Sequence, residues 1–173
     1  MNFNQNYFEI FGLPIEYDID PGGLSDRFLE LQKEVHPDRF ASSSEQEKRV
    51  AMQWATLVNS ANETLKSSLK RAIYLLQLKG VELEENPQLP PAFLMEQIEL
   101  REKLEDIEDG DGDLDELDSF KREVKGVVAA IENKFSDLVT EDLAKAEVLV
   151  YEMQFLNKLL IAANQLEEKL LDY

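Results

Sequence analysis

Cysteine is absent from the 173 residues and histidine occurs once. Disulfides, thiolate nucleophiles, cysteine-held zinc and clusters on the chain's own thiolates are therefore excluded, and no metal site or resident cofactor is expected. Basic residues are scarce, with 18 lysines and arginines against 36 acidic residues and a net charge of −18. Such a field repels phosphate backbones and anionic lipid, so neither nucleic acid nor a membrane surface is an expected partner. Long apolar runs are also lacking, and none approaches the roughly 20 residues of a bilayer span. The opening residues have no basic flank followed by an apolar stretch of the signal-peptide kind, which predicts a cytoplasmic location. What is present is a globular balance, 43% hydrophobic and 31% charged, in a chain long enough for one ordinary core or two small ones.

The apolar pattern is helical throughout, with no internal repeat and no strand-like alternation. Tyr7 to Pro14 reads as a helix of one or two turns stopped by Gly12 and Pro14. Asp20-Pro21 supplies an N-cap and a first helical residue, after which Leu24, Phe28, Leu31 and Val35 trace one apolar face. His36-Pro37 ends that helix, because proline disfavours helical backbone in the residue before it and has no amide hydrogen. Ser44 with Glu47 forms a capping box for the next helix, whose buried stripe is expected at Val50, Trp54, Val58, Ala61 and Leu65, with Met52 also in the core. Leu69, Ile73 and Leu76 mark a further short helix closed by Gly80. Residues 79–91, with Pro87, Pro90 and Pro91, read as a semi-rigid linker. Beyond it, three helices are expected at about 92–108, 117–138 and 141–171, joined by an acidic turn over 109–118 and a second turn over Ser136 to Thr140. Such short connections predict an antiparallel three-helix bundle.

The loop His36-Pro37-Asp38 falls at the tip of a helical hairpin, where side chains are free to meet another molecule. It can be a plain helix stop, but its context is richer: a short N-terminal helix, an amphipathic helix, the loop, Phe40, and a long capped helix. Over residues 1–78 this arrangement resembles a J domain. The resemblance implies docking on a DnaK-type chaperone ATPase and stimulation of its ATP hydrolysis, with His36, Pro37 and Asp38 as the essential trio. Arg27, Lys33 and Arg39 would add attraction to an acidic chaperone surface, although Glu30 and Glu34 make the preceding helix less basic than is usual in that family. Asp38 offers a fixed anionic acceptor suited to an arginine fork, and Pro37 restricts the loop.

On the first helix of the second unit, Phe93, Leu100, Leu104 and Ile107 share one side and form its core stripe. Leu94, Met95 and Ile98 fall on another, bordered by Glu99, Arg101, Glu102 and Glu105, as in an apolar interaction patch with a charged rim. On the last helix, Ala146, Val150, Met153 and Leu160 make the core face and leave Phe155 free to extend that patch. These residues serve equally as a contact for the first unit or for a partner. The stretches Ala92-Phe93-Leu94-Met95-Glu96-Gln97-Ile98-Glu99-Leu100-Arg101-Glu102 and Leu166-Glu167-Glu168-Lys169-Leu170-Leu171-Asp172-Tyr173 resemble the signatures of the HscB family, the J-type co-chaperones of iron–sulfur cluster assembly. That resemblance covers essentially the whole chain. It implies an L-shaped, two-domain helical protein, with a bundle over 92–173 that binds the scaffold protein IscU and delivers it to the chaperone HscA. Leu94, Met95, Ile98 and Phe155 would then contact the scaffold, with Glu99, Arg101 and Glu102 as polar neighbours, and cluster ligands would come from IscU.

Other readings compete. His36 and Asp38 as an acid–base pair lack a pocket and a nucleophile, so an enzyme is not expected. The run Asp109-Gly110-Asp111-Gly112-Asp113 resembles a calcium loop, but Leu114 stands at the required glycine position and Phe120 at the terminal glutamate. A J-domain adaptor for a different client, or a helical scaffold without a chaperone partner, would share the same pattern of helices.

Overall fold

The computed structural model describes residues 2–110 and 113–171. Among them every regular element is helical. The chain divides into two compact units, residues 1–79 and 80–173.

In the first unit, α1 (Tyr7–Phe11) is closed at both ends by local chemistry. Asn6 and Glu9 form a reciprocal capping box, and Gly12 takes a left-handed φ of 66° at the C-terminus, a conformation that glycine adopts without a Cβ penalty. Helix α2 (Pro21–Val35) begins as its sequence predicts: Asp20 accepts from the Gly22 and Gly23 amides, and Pro21 occupies the first turn. It stops at His36, whose ψ of 133° is extended, and Pro37–Phe40 forms a single 3-10 turn. Helix α3 (Glu45–Lys66) opens on the Ser44–Glu47 capping box, and α4 (Ser68–Leu78) is capped by Ser67. The core joins Phe8 and Phe11 of α1, Leu24, Leu31 and Val35 of α2, Trp54, Val58 and Leu65 of α3, and Leu75 and Leu76 of α4, all buried. A Tyr7–Tyr74 stack at 4.5 Å and a hydrogen bond from the Tyr7 amide to the Tyr74 hydroxyl tie α1 to α4.

Two expected core positions of α3 are corrected. Val50 is 39% exposed and Met52 is 68% exposed, whereas Ala51 is buried. With about 100° per residue, Met52 falls on the far side of the stripe through Trp54, Val58, Ala61 and Leu65, while Val50 and Ala51 flank that stripe on its two sides and only the Ala51 side is covered.

The second unit contains α5 (Pro91–Asp109), α6 (Leu114–Glu141) and α7 (Leu143–Leu171). Helix α6 starts earlier than expected, because Asp113 accepts from the Asp115 amide and caps it. It also runs through the segment expected as a turn at Ser136 to Thr140. Phe135 and Val139 are both buried and keep the core face continuous, while the Thr140 hydroxyl donates back to the Asp137 carbonyl. The helix breaks only at Asp142, where φ is −148° and whose carboxylate accepts from the Lys145 amide. On α7 the core position is Leu159, with Leu160 half-buried; Leu100 on α5 is likewise half-buried. Asp111 and Gly112 of the expected acidic turn, and Asp172 and Tyr173 of the C-terminal signature, lie outside the described residues. No helix among the described residues is long and apolar enough to cross a membrane.

Candidate functional site

Two features stand clear of the cores. The first is the loop at the end of α2. The His36 and Asp38 side chains are 59% and 91% exposed, and Pro37 is exposed between them. The His36 ring caps the 3-10 turn, its Nδ1 accepting weakly from the Asp38 amide at 3.3 Å. The same Nδ1 lies 3.6 Å from the Asp38 carboxylate. Apart from that contact the carboxylate is open to solvent, an exposed acceptor on the turn.

The three nearby cations differ in what they do. Arg27 is held on its own helix, with its guanidinium 2.9 Å from Glu30 and 3.9 Å from Glu34. Arg39 donates to the Lys33 carbonyl at 3.4 Å, a long bond that turns it back onto the end of α2. Lys33 has no ion pair among the described residues and is exposed. The sequence alone treats the three alike, because i,i+3 and i,i+4 partners compete for an arginine only once its rotamer is fixed.

The second feature is one face of α5. Leu94, Met95 and Ile98 are 44%, 64% and 58% exposed, while Phe93, Leu104 and Ile107 of the same helix are buried. The helix therefore has two apolar stripes with different fates. Phe155 of α7 is half-buried; its ring meets Phe93 edge-on at 6.0 Å, and the Arg101 guanidinium lies 6.0 Å from its centroid. The core thus fixes Phe155, and Phe155 in turn orients Arg101 beside Ile98. Glu102 is exposed and shares the Ile98 face. Glu99 is exposed too, but it lines a cavity of about 540 Å³ on the opposite flank of α5, with Glu96, Lys103, Lys134 and Glu152. Burial and the neighbouring Glu96 carboxylate push the Glu152 carboxyl up. Leu29 of α2, 54% exposed, was not among the expected contact residues; its signal is an apolar side chain outside the stripe of its own helix.

A helical hairpin that carries His-Pro-Asp on its tip, followed by a separate helical bundle with an uncovered apolar face, defines a J-type co-chaperone. Residues 89–164 match a family model described as the HSCB C-terminal oligomerisation domain. The chain is 42% identical over 161 residues to a co-chaperone protein HscB homolog of Ralstonia nicotianae, covering 90% of each. It superposes on the chaperone HscB from Vibrio cholerae with a TM-score of 0.86 at 36% identity, covering 96% of this chain and 99% of that one. Against the human co-chaperone protein HscB the TM-score is 0.87 at 26% identity, covering 98% and 84%. The Jac1 co-chaperone of Saccharomyces cerevisiae shares the fold, with a TM-score of 0.71 at 22% identity over 95% of each chain. The chain belongs to the HscB family of co-chaperones, with an N-terminal J domain and a helical C-terminal domain.

Proposed function

We propose that this protein works in iron–sulfur cluster assembly by gripping an IscU-like scaffold protein with its C-terminal bundle and presenting it to an HscA-like DnaK-type chaperone, whose ATPase the J domain stimulates. The observation that carries the reading is the presence of two exposed features in one family member, each on its own unit: a loop with an exposed carboxylate and an apolar helix face. His36, Pro37 and Asp38 make the chaperone contact, helped by Lys33 more than by Arg27 or Arg39. Leu94, Met95, Ile98 and Phe155 make the scaffold contact, with Arg101, Glu102 and Glu99 around them. The protein acts by binding rather than by chemistry of its own, the ATP hydrolysis belongs to the partner, and its place of work is the cytoplasm.

The deciding experiment measures ATP hydrolysis by the purified chaperone with this protein, with and without scaffold. Stimulation by the wild type and its loss in His36→Gln or Asp38→Asn, with helicity and melting unchanged, supports the reading. Leu94→Ser with Met95→Ser should lose scaffold binding yet keep scaffold-independent stimulation. Full stimulation by either loop variant refutes the loop assignment, and unchanged scaffold affinity in the double variant refutes the patch.

A further inference from the structure

The three helices of the second unit are unequally anchored. Helices α6 and α7 bury seven and eight side chains, whereas α5 buries only Phe93, Leu104 and Ile107. Phe93 and Leu104 are about 16 Å apart along the helix. Between them only Gln97 and Leu100 are half-buried, and this is the stretch that carries Leu94, Met95 and Ile98. The space beneath it is open: the cavity of about 540 Å³ has Leu100 of α5, Val127 and Ile131 of α6 and Leu156 of α7 in its walls. A second cavity, of about 470 Å³, follows along the α5–α6 seam, where Asp106 and Ile107 face Glu116 and Phe120. An underfilled seam forgoes dispersion contacts, so packing alone fixes the height of α5 only loosely.

Lys103 and Glu123 are the two residues common to both cavity walls. The Lys103 ammonium pairs with the Glu123 carboxylate, so this ion pair stands between the cavities as a strut across the seam. A further tie, from Lys169 of α7 to Glu108 at 3.0 Å, holds the last turn of α5. Among the described residues these are the ion pairs that join α5 to its neighbours, and both lie C-terminal to Ile98. In the other half of the helix charge works in the opposite sense. Burial, and then the Glu96 carboxylate of α5 across the cavity, push the Glu152 carboxyl of α7 up, and Lys134 of α6 counters only part of this.

We propose that Lys103 is a positioning residue for scaffold capture: through Glu123, and with Glu108 and Lys169 as a second tie, it sets the pose of α5 over the seam and so that of the Leu94, Met95 and Ile98 face. Lys103 acts through the helix and does not touch the scaffold. The proposal rests on the scaffold-binding reading of that face. An exposed ion pair contributes little to a densely packed fold, but this one acts on an element with three buried side chains, whose local opening is governed by few contacts.

The test measures the affinity of the full-length protein for an IscU-like scaffold by calorimetric titration, in a cycle of Lys103→Met, Glu123→Gln and the two together. Each single variant is expected to weaken binding by about two- to fivefold, the worth of one exposed ion pair. The double variant should be no weaker than either, because the two residues act as one unit. Lys103→Glu should weaken binding by roughly tenfold, and adding Glu123→Lys should bring it back to within about twofold of wild type, as should Lys103→Arg. Amide exchange over residues 94–101 should quicken in Lys103→Met and slow again in the charge-exchanged pair, while ATPase stimulation without scaffold stays at the wild-type level in every variant. Additive losses in the cycle would place Lys103 in the scaffold contact itself and overturn the positioning role. Unchanged affinity in both single variants, while Leu94→Ser with Met95→Ser has lost binding, also overturns it and leaves the patch reading intact. A wild type that binds no scaffold removes the patch reading and the positioning role together. Should Lys103→Glu fold poorly, the cycle of Lys103→Met and Glu123→Gln still decides.

Discussion

Truncating the α5 patch to Leu94→Ala, Met95→Ala and Ile98→Ala should separate binding from folding. Fully covering an aliphatic side chain of this size is worth roughly 1.5–3 kcal/mol. The three side chains are 44%, 64% and 58% exposed, so a partner that covers them completely recovers about half of that per residue, or about 3–4 kcal/mol in all. Ordering three flexible side chains costs part of this, which leaves a net loss of about 2–3 kcal/mol on truncation, or roughly a hundredfold in affinity. The portions already covered set an upper bound of about 4 kcal/mol on the loss of fold stability, reduced because an unfolded chain also covers some of that surface. Alanine keeps the helix propensity of the exposed face. Calorimetric titration of an IscU-like scaffold into wild type and variant, at a temperature where circular dichroism finds both folded, gives the ratio of affinities. A change smaller than about threefold would refute the assignment of this face, as would a variant that cannot fold, since that would make the patch part of the core.

Phe93→Ala, on the buried side of the same helix, should behave in the opposite way: a stability loss of about 3–5 kcal/mol by chemical denaturation, with Phe155 and Arg101 losing their support. Glu167→Gln removes the carboxylate 2.7 Å from Lys121, whose side chain is only 11% exposed while that of Glu167 is 36% exposed. A loss of about 1–3 kcal/mol is expected, below the range for fully buried pairs because solvent reaches the carboxylate. The Ser44 amide and hydroxyl hold the Glu47 carboxyl below its ordinary value of 4.5. A carboxyl whose pKa is lowered by folding contributes stability above its unfolded pKa and loses it as pH falls through the folded one, so the stability gap between wild type and Glu47→Gln should be largest near neutrality and close as pH falls below that ordinary value. Tyr74→Phe deletes the acceptor for the Tyr7 amide and should cost about 1 kcal/mol, read from the melting of the first unit.

Much of this architecture is legible in the residues because local chemistry and packing agree. Asp20-Pro21 and Ser44 with Glu47 cap helices where their spacing says they should, and Leu94, Met95 and Ile98 lie outside the core as the wheel of α5 requires. The discrepancies have a common physical origin. Ser136 to Thr140 has the composition of a turn, but the packing of Phe135 and Val139 against the bundle outweighs weak intrinsic preference and carries α6 through. Met52 is separated from the buried stripe of α3 by phase, whereas Val50, one turn before Trp54, is set apart only by which flank of the helix the core covers. The distinct fates of Arg27, Lys33 and Arg39 depend on side-chain rotamers and on the carbonyls left free at a helix end, which no spacing rule reads.

The joint between α6 and α7 is a single residue, Asp142, between helices of 28 and 29 residues. Each is about 40 Å long, and with seven and eight buried side chains they grip each other along their length. Helix α5 contributes only Phe93, Leu104 and Ile107 to the interior. The pair therefore behaves as a stiff splint, and α5 as a lath laid against it, the first element to lift when the bundle breathes. With the proposed contact face on that lath, cargo capture should slow amide exchange in α5 far more than in the splint, and part of the intrinsic grip would be consumed in stilling it.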